Sequence, residues 1–165
     1  MAQQNFLVEG VSGTGKSSVC RELRSRGLFA VDGDNELAYR GDPYTGEPTE
    51  AFGHEYHVWD AARVREIAAR PEPELAFFCG GSRNFSIFLD VFAEVFVLTV
   101  DASTLARRLA EREPDDWGGT VEQREQILRL HATQEDVPAG TLIDATRPLA
   151  EVVDAIVTLA TSDAG

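Results

Sequence analysis

Short runs of apolar residues alternate with helical patterns along the whole chain. The apolar runs, which predict five buried strands, fall at 6–8, 28–31, 75–79, 95–100 and 141–143. The segments with helical periodicity lie between them, at about 16–26, 52–70, 102–112, 120–135 and 148–160. Continuously apolar strands separated by helices are typical of a parallel sheet that is covered on both faces. The pattern therefore predicts a three-layer α/β/α fold with a five-stranded parallel sheet.

The length and composition fit one domain. The chain has 165 residues, of which 43% are hydrophobic, enough for a single buried core. Two stretches rich in Gly, Pro and acidic residues, 40–50 and 113–119, interrupt the pattern and are predicted to be loops. We expect a single domain over residues 1–165.

The charge balance limits the partners. A formal charge of −13 argues against sequence-independent binding to nucleic acid or anionic membranes, so a phosphate-binding site must be a local positive island. No segment approaches the ~18 apolar residues of a membrane span, and the first residues lack a basic leader. Cys20 and Cys79 have no metal-site spacing and are expected to be reduced thiols. We expect a cytoplasmic monomer or homodimer that binds a small molecule, with no nucleic-acid or membrane partner.

The segment from Gly10 to Ser17 reads Gly-Val-Ser-Gly-Thr-Gly-Lys-Ser and matches the phosphate-binding pattern G-x4-G-K-[ST] between a strand and a helix. Glycines let the backbone direct several N–H groups at one anion, and the helix N-terminus adds partial positive charge. Lys16 is expected to reach the β- and γ-phosphates of ATP, and the Ser17 hydroxyl to ligate Mg²⁺. The residues predicted to bind the nucleotide here are Gly10, Ser12, Gly13, Thr14, Gly15, Lys16, Ser17 and Ser18.

The motif alone does not separate kinases from other P-loop proteins. The chain is too short for a motor domain, and no N-K-x-D pattern for reading guanine is present. The second predicted strand ends in Asp32-Gly33-Asp34, which places two carboxylates beside the phosphate site if that strand neighbours the first. These features favour a small kinase.

With its G-V-S-G-T-G-K-S-S-V segment and this D-G-D, the sequence resembles the shikimate and gluconate kinases. The G-E-P at 46–48 and the D-A-T-R-P-L at 144–149 are similar to gluconate kinase in particular. The resemblance implies that Asp32 orients water on Mg²⁺ and that Asp34 holds or deprotonates the acceptor hydroxyl. The alternative is that both carboxylates cap the next helix.

The third predicted strand ends in Gly80-Gly81, followed by Arg83. Shikimate kinases carry a similar glycine run, which lets the substrate approach the backbone, and Arg83 lies where adenylate kinases carry a phosphate-binding arginine. Gluconate kinases have a different segment here, with a lysine. Leu37 stands where adenylate kinases have a second arginine, which favours a hydroxyl acceptor over AMP. A surface arginine is the other interpretation of Arg83.

The helix predicted at 52–70 belongs to an expected substrate-capping region, 36–70. On a helical projection its aromatic and aliphatic stripe consists of Phe52, Tyr56, Trp59 and Ile67. Arg63 falls within that stripe, either extending out of a core-facing surface or reaching a substrate anion. His54 and His57 share one face and are expected to border the pocket or solvent.

Arg108 and Arg112 are four residues apart and project from one helix face. The junction between helix and lid in nucleotide kinases is similar, which implies that Arg108 packs on adenine and Arg112 neutralises the transferred phosphoryl group. Residues 113–119 would then form a short lid. By the same resemblance Thr146 and Pro148 border the adenine ring. The alternatives are solvated arginines paired with nearby glutamates, and a Pro148 that merely starts a helix.

Together these features predict an enzyme: an ATP- and Mg²⁺-dependent kinase that phosphorylates a hydroxyl of a small metabolite, such as a sugar acid or a shikimate-like compound. A nucleoside or nucleoside monophosphate kinase is the main alternative. A regulatory module with slow ATP hydrolysis and a non-catalytic scaffold remain as others.

Overall fold

A computed structural model describes residues 4–135 and 137–162; the ends of the predicted domain, residues 1–3 and 163–165, lie outside these ranges. Seven strands are present in the described residues: β1 Gln4–Glu9, β2 Phe29–Asp32, β3 Ala38–Arg40, β4 His57–Trp59, β5 Leu75–Cys79, β6 Glu94–Thr99 and β7 Thr141–Asp144. Five of them form one sheet in the order β2-β5-β1-β6-β7, and every neighbouring pair is parallel. The predicted five-stranded parallel sheet is confirmed.

Four of the six helices in the described residues lie where the periodicity indicated; the second was not predicted and the third is shorter than predicted. The six are α1 Lys16–Ser25, the short α2 Gly33–Glu36, α3 Ala61–Ala68, α4 Ala102–Ala110, α5 Val121–Thr133 and α6 Leu149–Ser162. Local signals set their ends: Asp101 and Thr120 accept hydrogen bonds from the first turns of α4 and α5. Gly27 takes a φ of +80° just beyond α1, a conformation that suits glycine at a helix end.

Adjacent strand residues point to opposite faces of the sheet and enter two separate cores. On one face, Phe6, Phe77 and Phe96 pack with buried residues of α1, α4, α5 and α6. On the other, Leu7 and Phe78 pack with Trp59, with α3, and with a pair of 3₁₀ turns at Phe85–Ile87 and Leu89–Val91. This gives the three-layer α/β/α arrangement.

The prediction of one continuous helix over 52–70 is wrong. The chain forms an antiparallel hairpin of β3 and β4, in which Ala38 pairs with Trp59, and only Ala61–Ala68 is helical. Asp60 starts that helix, because its side chain accepts a hydrogen bond from the Arg63 N–H. The predicted stripe is therefore not one surface: Phe52 is exposed, whereas Trp59 is buried in the core below the hairpin.

The carboxyl ends of the strands meet at one edge of the sheet. In register, Val8 of β1 and Asp32 of β2 both pair with Cys79 of β5, and the Gly80 N–H donates to the Val8 carbonyl. The expectation that the second strand directly neighbours the first is wrong, because β5 lies between β2 and β1. The loops that follow these three strands still meet at one edge, as expected in an open parallel sheet. Of the helices described, none has the length and apolar character that crossing a membrane requires.

Candidate active site

A cavity of about 1150 Å³ lies at the carboxyl edge of the sheet. Its wall includes the whole loop from Gly10 to Ser18, together with residues from the hairpin, the end of β5, the end of α4 and the loop after β7. Ligands in folds of this type bind at this edge. The predicted nucleotide-binding residues Gly10, Ser12, Gly13, Thr14, Gly15, Lys16, Ser17 and Ser18 all border it.

The glycines of this loop have the conformations that a phosphate cradle needs. Gly10, Gly13 and Gly15 take φ values of +152°, +93° and +105°. A Cβ on Gly13 would lie 2.6 Å from the Leu105 side chain, so this turn packs directly on α4. Gly15 precedes α1, and a Cβ there would meet no atom within 4 Å, so its backbone faces open space. The loop offers exposed amides at a helix N-terminus, a general anion site.

Lys16 is held beside a buried acid. Its Nζ donates to the Gly10 carbonyl and lies 3.8 Å from Oε1 of Glu9, a residue only 1% exposed. The same Oε1 accepts a 3.0 Å hydrogen bond from the Gly10 N–H. Burial raises the pKa of Glu9 to about 7, against the opposing effects of the Lys16 charge and the Gly10 amide. Sequence reasoning missed Glu9, although an acid that ends an apolar strand just before the first glycine was a signal.

Asp34 borders the cavity from α2. Its Oδ1 lies 3.0 Å from His57 Nε2 and accepts a longer, 3.4 Å bond from the Gly81 N–H. Burial alone raises the pKa of Asp34, but the hydrogen bond from His57, with the charge of Lys16, brings it below its usual range. The carboxylate is therefore ionised at neutral pH. The pairing with His57 was not foreseen, because the two residues are distant in sequence.

The end of β5 packs tightly on both acids. A Cβ on Gly81 would lie 2.6 Å from Glu9 Oε1 and 3.3 Å from Lys16 Nζ. A Cβ on Gly80 would lie 2.8 Å from Asp34 Oδ1, so these glycines are needed for close packing of the protein's own side chains. Gly81 and Arg83 line the cavity, whereas Gly80 lies behind it. The Arg83 N–H donates to the His57 carbonyl at 2.8 Å, which joins this loop to β4.

Arg108 of α4 and Arg112, which lies just beyond the end of α4 at Ala110, both contact the phosphate cradle. Arg108 donates to the Gly13 carbonyl and to the Ala145 carbonyl, both at 3.1 Å. Arg112 donates to Ser12 Oγ at 2.9 Å and to the Trp117 carbonyl. Both guanidinium groups therefore lie between the cradle and the loops expected to cover the nucleotide.

Five predicted site residues lie outside the cavity wall: Asp32, Arg63, Gly80, Thr146 and Pro148. Arg63 lies on the exposed side of α3, where its guanidinium pairs with the Glu66 carboxylate at 2.9 Å. Because α3 begins only at Ala61, Arg63 does not share one helical stripe with Phe52. The structure thus does not bring Arg63 to the cavity. Asp32 accepts a 2.7 Å bond from Asn35, and Asp144 accepts from the Thr146 N–H at 3.0 Å. Their neighbours Asp34, Ala145, Arg147 and Leu149 line the cavity instead.

The cavity is positive within an acidic protein. Five arginines and lysines line it against three acids, in a chain of net charge −13. The basic residues are Lys16, Arg83, Arg108, Arg112 and Arg147. This is the local positive island that the composition required of a phosphate site.

The donor set suits a magnesium ion only together with a nucleotide. Among the described residues, no cluster of three or more His, Cys, Asp or Glu side chains could hold a metal alone. Mg²⁺ keeps several waters and is commonly bound through one or two protein oxygens plus substrate phosphates. Ser17, the predicted ligand that lines the cavity, supplies such an oxygen.

The fold and the cradle define a P-loop nucleotide-binding α/β domain. The family model described as an AAA domain matches residues 7–129, and the chain belongs to that family. A search of curated proteins finds no match to the sequence.

Solved structures show the same fold over nearly the whole chain. A shikimate kinase from Acinetobacter baumannii, in complex with shikimate, aligns at TM-score 0.63 and 18% identity, covering 98% of this chain and 94% of its own. A gluconokinase from Sinorhizobium meliloti 1021 aligns at 0.57 and 21%, covering 96% and 94%. A sugar kinase from Janibacter sp. HTCC2649 aligns at 0.55 and 17%, covering 94% and 93%. The predicted resemblance to gluconate and shikimate kinases is confirmed at the level of the fold.

Proposed function

We propose that the protein is a kinase that transfers the γ-phosphate of MgATP to a hydroxyl of a small metabolite, such as a sugar acid or a shikimate-like compound. The observation that carries the proposal is that Asp34 and Lys16 border one cavity. A phosphate cradle and an ionised acid then face the same space. An ionised carboxylate at this place can accept a hydrogen bond from an acceptor hydroxyl and align it with the bound phosphate.

On the donor side, the loop amides from Gly13 to Ser17 bind the β- and γ-phosphates, and Lys16 exchanges its contact with the Gly10 carbonyl for phosphate oxygens. When bound, Mg²⁺ neutralises charge that develops on these oxygens, with the Ser17 hydroxyl as its protein ligand. Arg108 donates to the Gly13 carbonyl and Arg112 to the Ser12 hydroxyl, so Arg112 is placed to stabilise the transferred group.

On the acceptor side, Asp34 accepts the hydroxyl proton and aligns the oxygen for in-line attack. Phosphoryl transfer depends on such alignment more than on strong basicity. Arg83 borders the same space and provides a site for a carboxylate or another anionic group of the acceptor.

The alternative acceptor is a nucleoside or its monophosphate. The cavity wall carries Arg83 for a phosphate and the rings of Phe52, His54 and Trp117 for a base. The positions expected to supply a second phosphate contact do not: Leu37 is buried in the core and Arg63 lies outside the cavity. This weakens the alternative relative to a hydroxyl of an uncharged or singly charged acceptor.

A screen of acceptors tests the proposal. ADP production and thermal stability would be measured with MgATP plus sugar acids, shikimate, nucleosides and nucleoside monophosphates. A ligand at 100 times its Kd adds about 2.7 kcal/mol of stability. We expect one sugar acid or shikimate-like compound both to stabilise the protein and to stimulate ADP release, with Asp34→Asn abolishing the stimulation. Stimulation by nucleosides or their monophosphates alone would favour the alternative, and no stimulation by any acceptor would reject a kinase.

A further inference from the structure

The imidazole of His57 is hydrogen bonded to the carboxylate of Asp34. Nε2 lies 3.0 Å from Oδ1, and both side chains are about one-third exposed at the cavity wall, 37% and 36%. An ionised carboxylate has no hydrogen to donate, so the proton in this bond belongs to Nε2 of His57. The ring is therefore in a defined tautomeric state with respect to Asp34.

Both hydrogen bonds that Asp34 receives go to the same oxygen. The Gly81 N–H donates to Oδ1 at 3.4 Å, as His57 Nε2 does at 3.0 Å. A Cβ on Gly80 would lie 2.8 Å from Oδ1, so the backbone there also limits the carboxylate. Among the described residues, the hydrogen bonds to the Asp34 side chain go to Oδ1, so we take Oδ2 as the oxygen available to a hydroxyl group.

The element that carries Asp34 needs such support. α2 is a single turn, Gly33–Glu36, and the side chain of its N-cap residue Asp32 accepts no hydrogen bond from the backbone of that turn. His57 is fixed on both sides: its strand pairs in register with Arg40 of β3, and its carbonyl accepts from the Arg83 N–H at 2.8 Å. The hairpin therefore supplies a rigid anchor for an acid that sits on a short turn.

We propose that His57 is a positioning residue for phosphoryl transfer, which holds Oδ1 of Asp34 so that Oδ2 receives the acceptor hydroxyl. The inference rests on the proposed kinase function and adds a residue to it. His57 acts through Asp34 and contributes nothing separate to the nucleotide site. Misplacement of a reacting group by about 1 Å costs up to roughly 100-fold in rate, which sets the scale of the effect.

A double-mutant cycle tests the inference. Single-turnover transfer from radiolabelled MgATP would be measured with the acceptor found in the screen, and with water as the acceptor, for wild type, His57→Ala, Asp34→Asn and the double variant. We expect His57→Ala to lower the rate about 10- to 100-fold in the wild-type background with the KM for MgATP unchanged. In the Asp34→Asn background the same substitution should change the rate less than about twofold.

Two further variants separate positioning from folding. His57→Gln keeps an N–H donor at a similar reach and should recover much of the rate lost in His57→Ala. His131→Gln makes the same replacement far from the cavity, where the ring bonds to the Val100 carbonyl, and should leave transfer unchanged.

The outcomes are distinct. Multiplicative losses in the double variant, or equal losses in His57→Gln and His57→Ala, would overturn the role of His57 while leaving the kinase proposal intact. If wild type transfers phosphate to no acceptor in the screen, the kinase proposal fails and this inference fails with it.

Discussion

The rings of His54 and Trp117 stack face to face, with centroids 5.5 Å apart and planes within 5° of each other. His54 belongs to the turn before β4, and Trp117 to the segment between α4 and α5 that was predicted to be a lid. Both residues line the cavity. The contact therefore joins the turn before β4 to the segment between α4 and α5 across the cavity wall.

The C-terminal end of the 113–119 segment is also held by hydrogen bonds to α5. Arg124 of α5 donates from Nε to the Gly118 carbonyl at 3.1 Å, and the Gly118 N–H donates to Gln123 at 3.0 Å. A Cβ on Gly119 would lie only 1.9 Å from the Glu113 carbonyl oxygen. Close packing therefore explains the glycine at position 119.

The first prediction concerns this stack. Replacing Trp117 with Ala should weaken the contact between the 113–119 segment and the turn at His54 by about 0.5–1.5 kcal/mol, the usual contribution of an aromatic pair. The KM for the acceptor should then rise roughly 2- to 10-fold. Trp117→Phe keeps an aromatic face and should behave like wild type. Steady-state kinetics with varied acceptor would measure both. An unchanged KM in Trp117→Ala would mean that the stack does not contribute to closure.

The second prediction follows from the buried carboxyl of Glu9. Its pKa is about 7 in the folded protein and near 4.5 when unfolded, so the folded state holds the proton more tightly. The associated stability is fully present below about pH 4.5 and is lost as the pH rises to about 7, a change of roughly 3 kcal/mol.

Glu9→Gln should remove that dependence, because Gln is neutral at every pH. Between about pH 5 and pH 8 the unfolding free energy of wild type should fall more than that of the variant. Urea unfolding of both proteins at these two pH values measures the difference. His131→Gln, which leaves the carboxyl in place, is the control. A difference between variant and wild type that stays constant with pH would show that Glu9 does not titrate in this range.

The third prediction concerns Arg112. If its guanidinium neutralises the transferred phosphoryl group, Arg112→Ala should lower kcat about 100- to 1000-fold with a smaller change in the KM for MgATP. Arg107→Ala, at an exposed position one residue before Arg108 on the same helix, is the matched control and should retain activity. A loss confined to KM would place Arg112 in ground-state binding alone.

Sequence reasoning worked best where one local pattern fixes both structure and chemistry. The strand from Leu75 to Cys79 was predicted to the residue, and the Gly10–Ser17 loop was located because its glycines, lysine and serine serve one phosphate group. Asp34 was predicted as a site residue from its place just after a strand, and it lines the cavity. In each case the signal lies within a few neighbouring residues.

It failed where tertiary contacts override periodicity. The spacing of Phe52, Tyr56 and Trp59 fits a helix, but the chain buries Trp59 against Phe88, with ring centroids 5.8 Å apart, by forming a hairpin. That change moves Arg63 out of the site and brings His57 to Asp34. Contacts such as His57–Asp34 and His54–Trp117 join residues more than twenty positions apart, and no local pattern announces them.

Arg83 and Arg63 were both predicted to contact an anionic group of the substrate. Arg83 borders the cavity, whereas Arg63 lies on the exposed side of α3. If Arg83 binds an anionic group of the acceptor, Arg83→Ala should raise the KM for that acceptor about 10- to 100-fold, because a hydrogen bond to a charged group contributes about 1.5–3 kcal/mol. Arg63→Ala should leave the KM within about twofold, since an exposed pair with Glu66 contributes little. Equal effects in the two variants would contradict the placement of the acceptor beside β5, and an unchanged KM in Arg83→Ala would indicate an acceptor without an anionic group at this position.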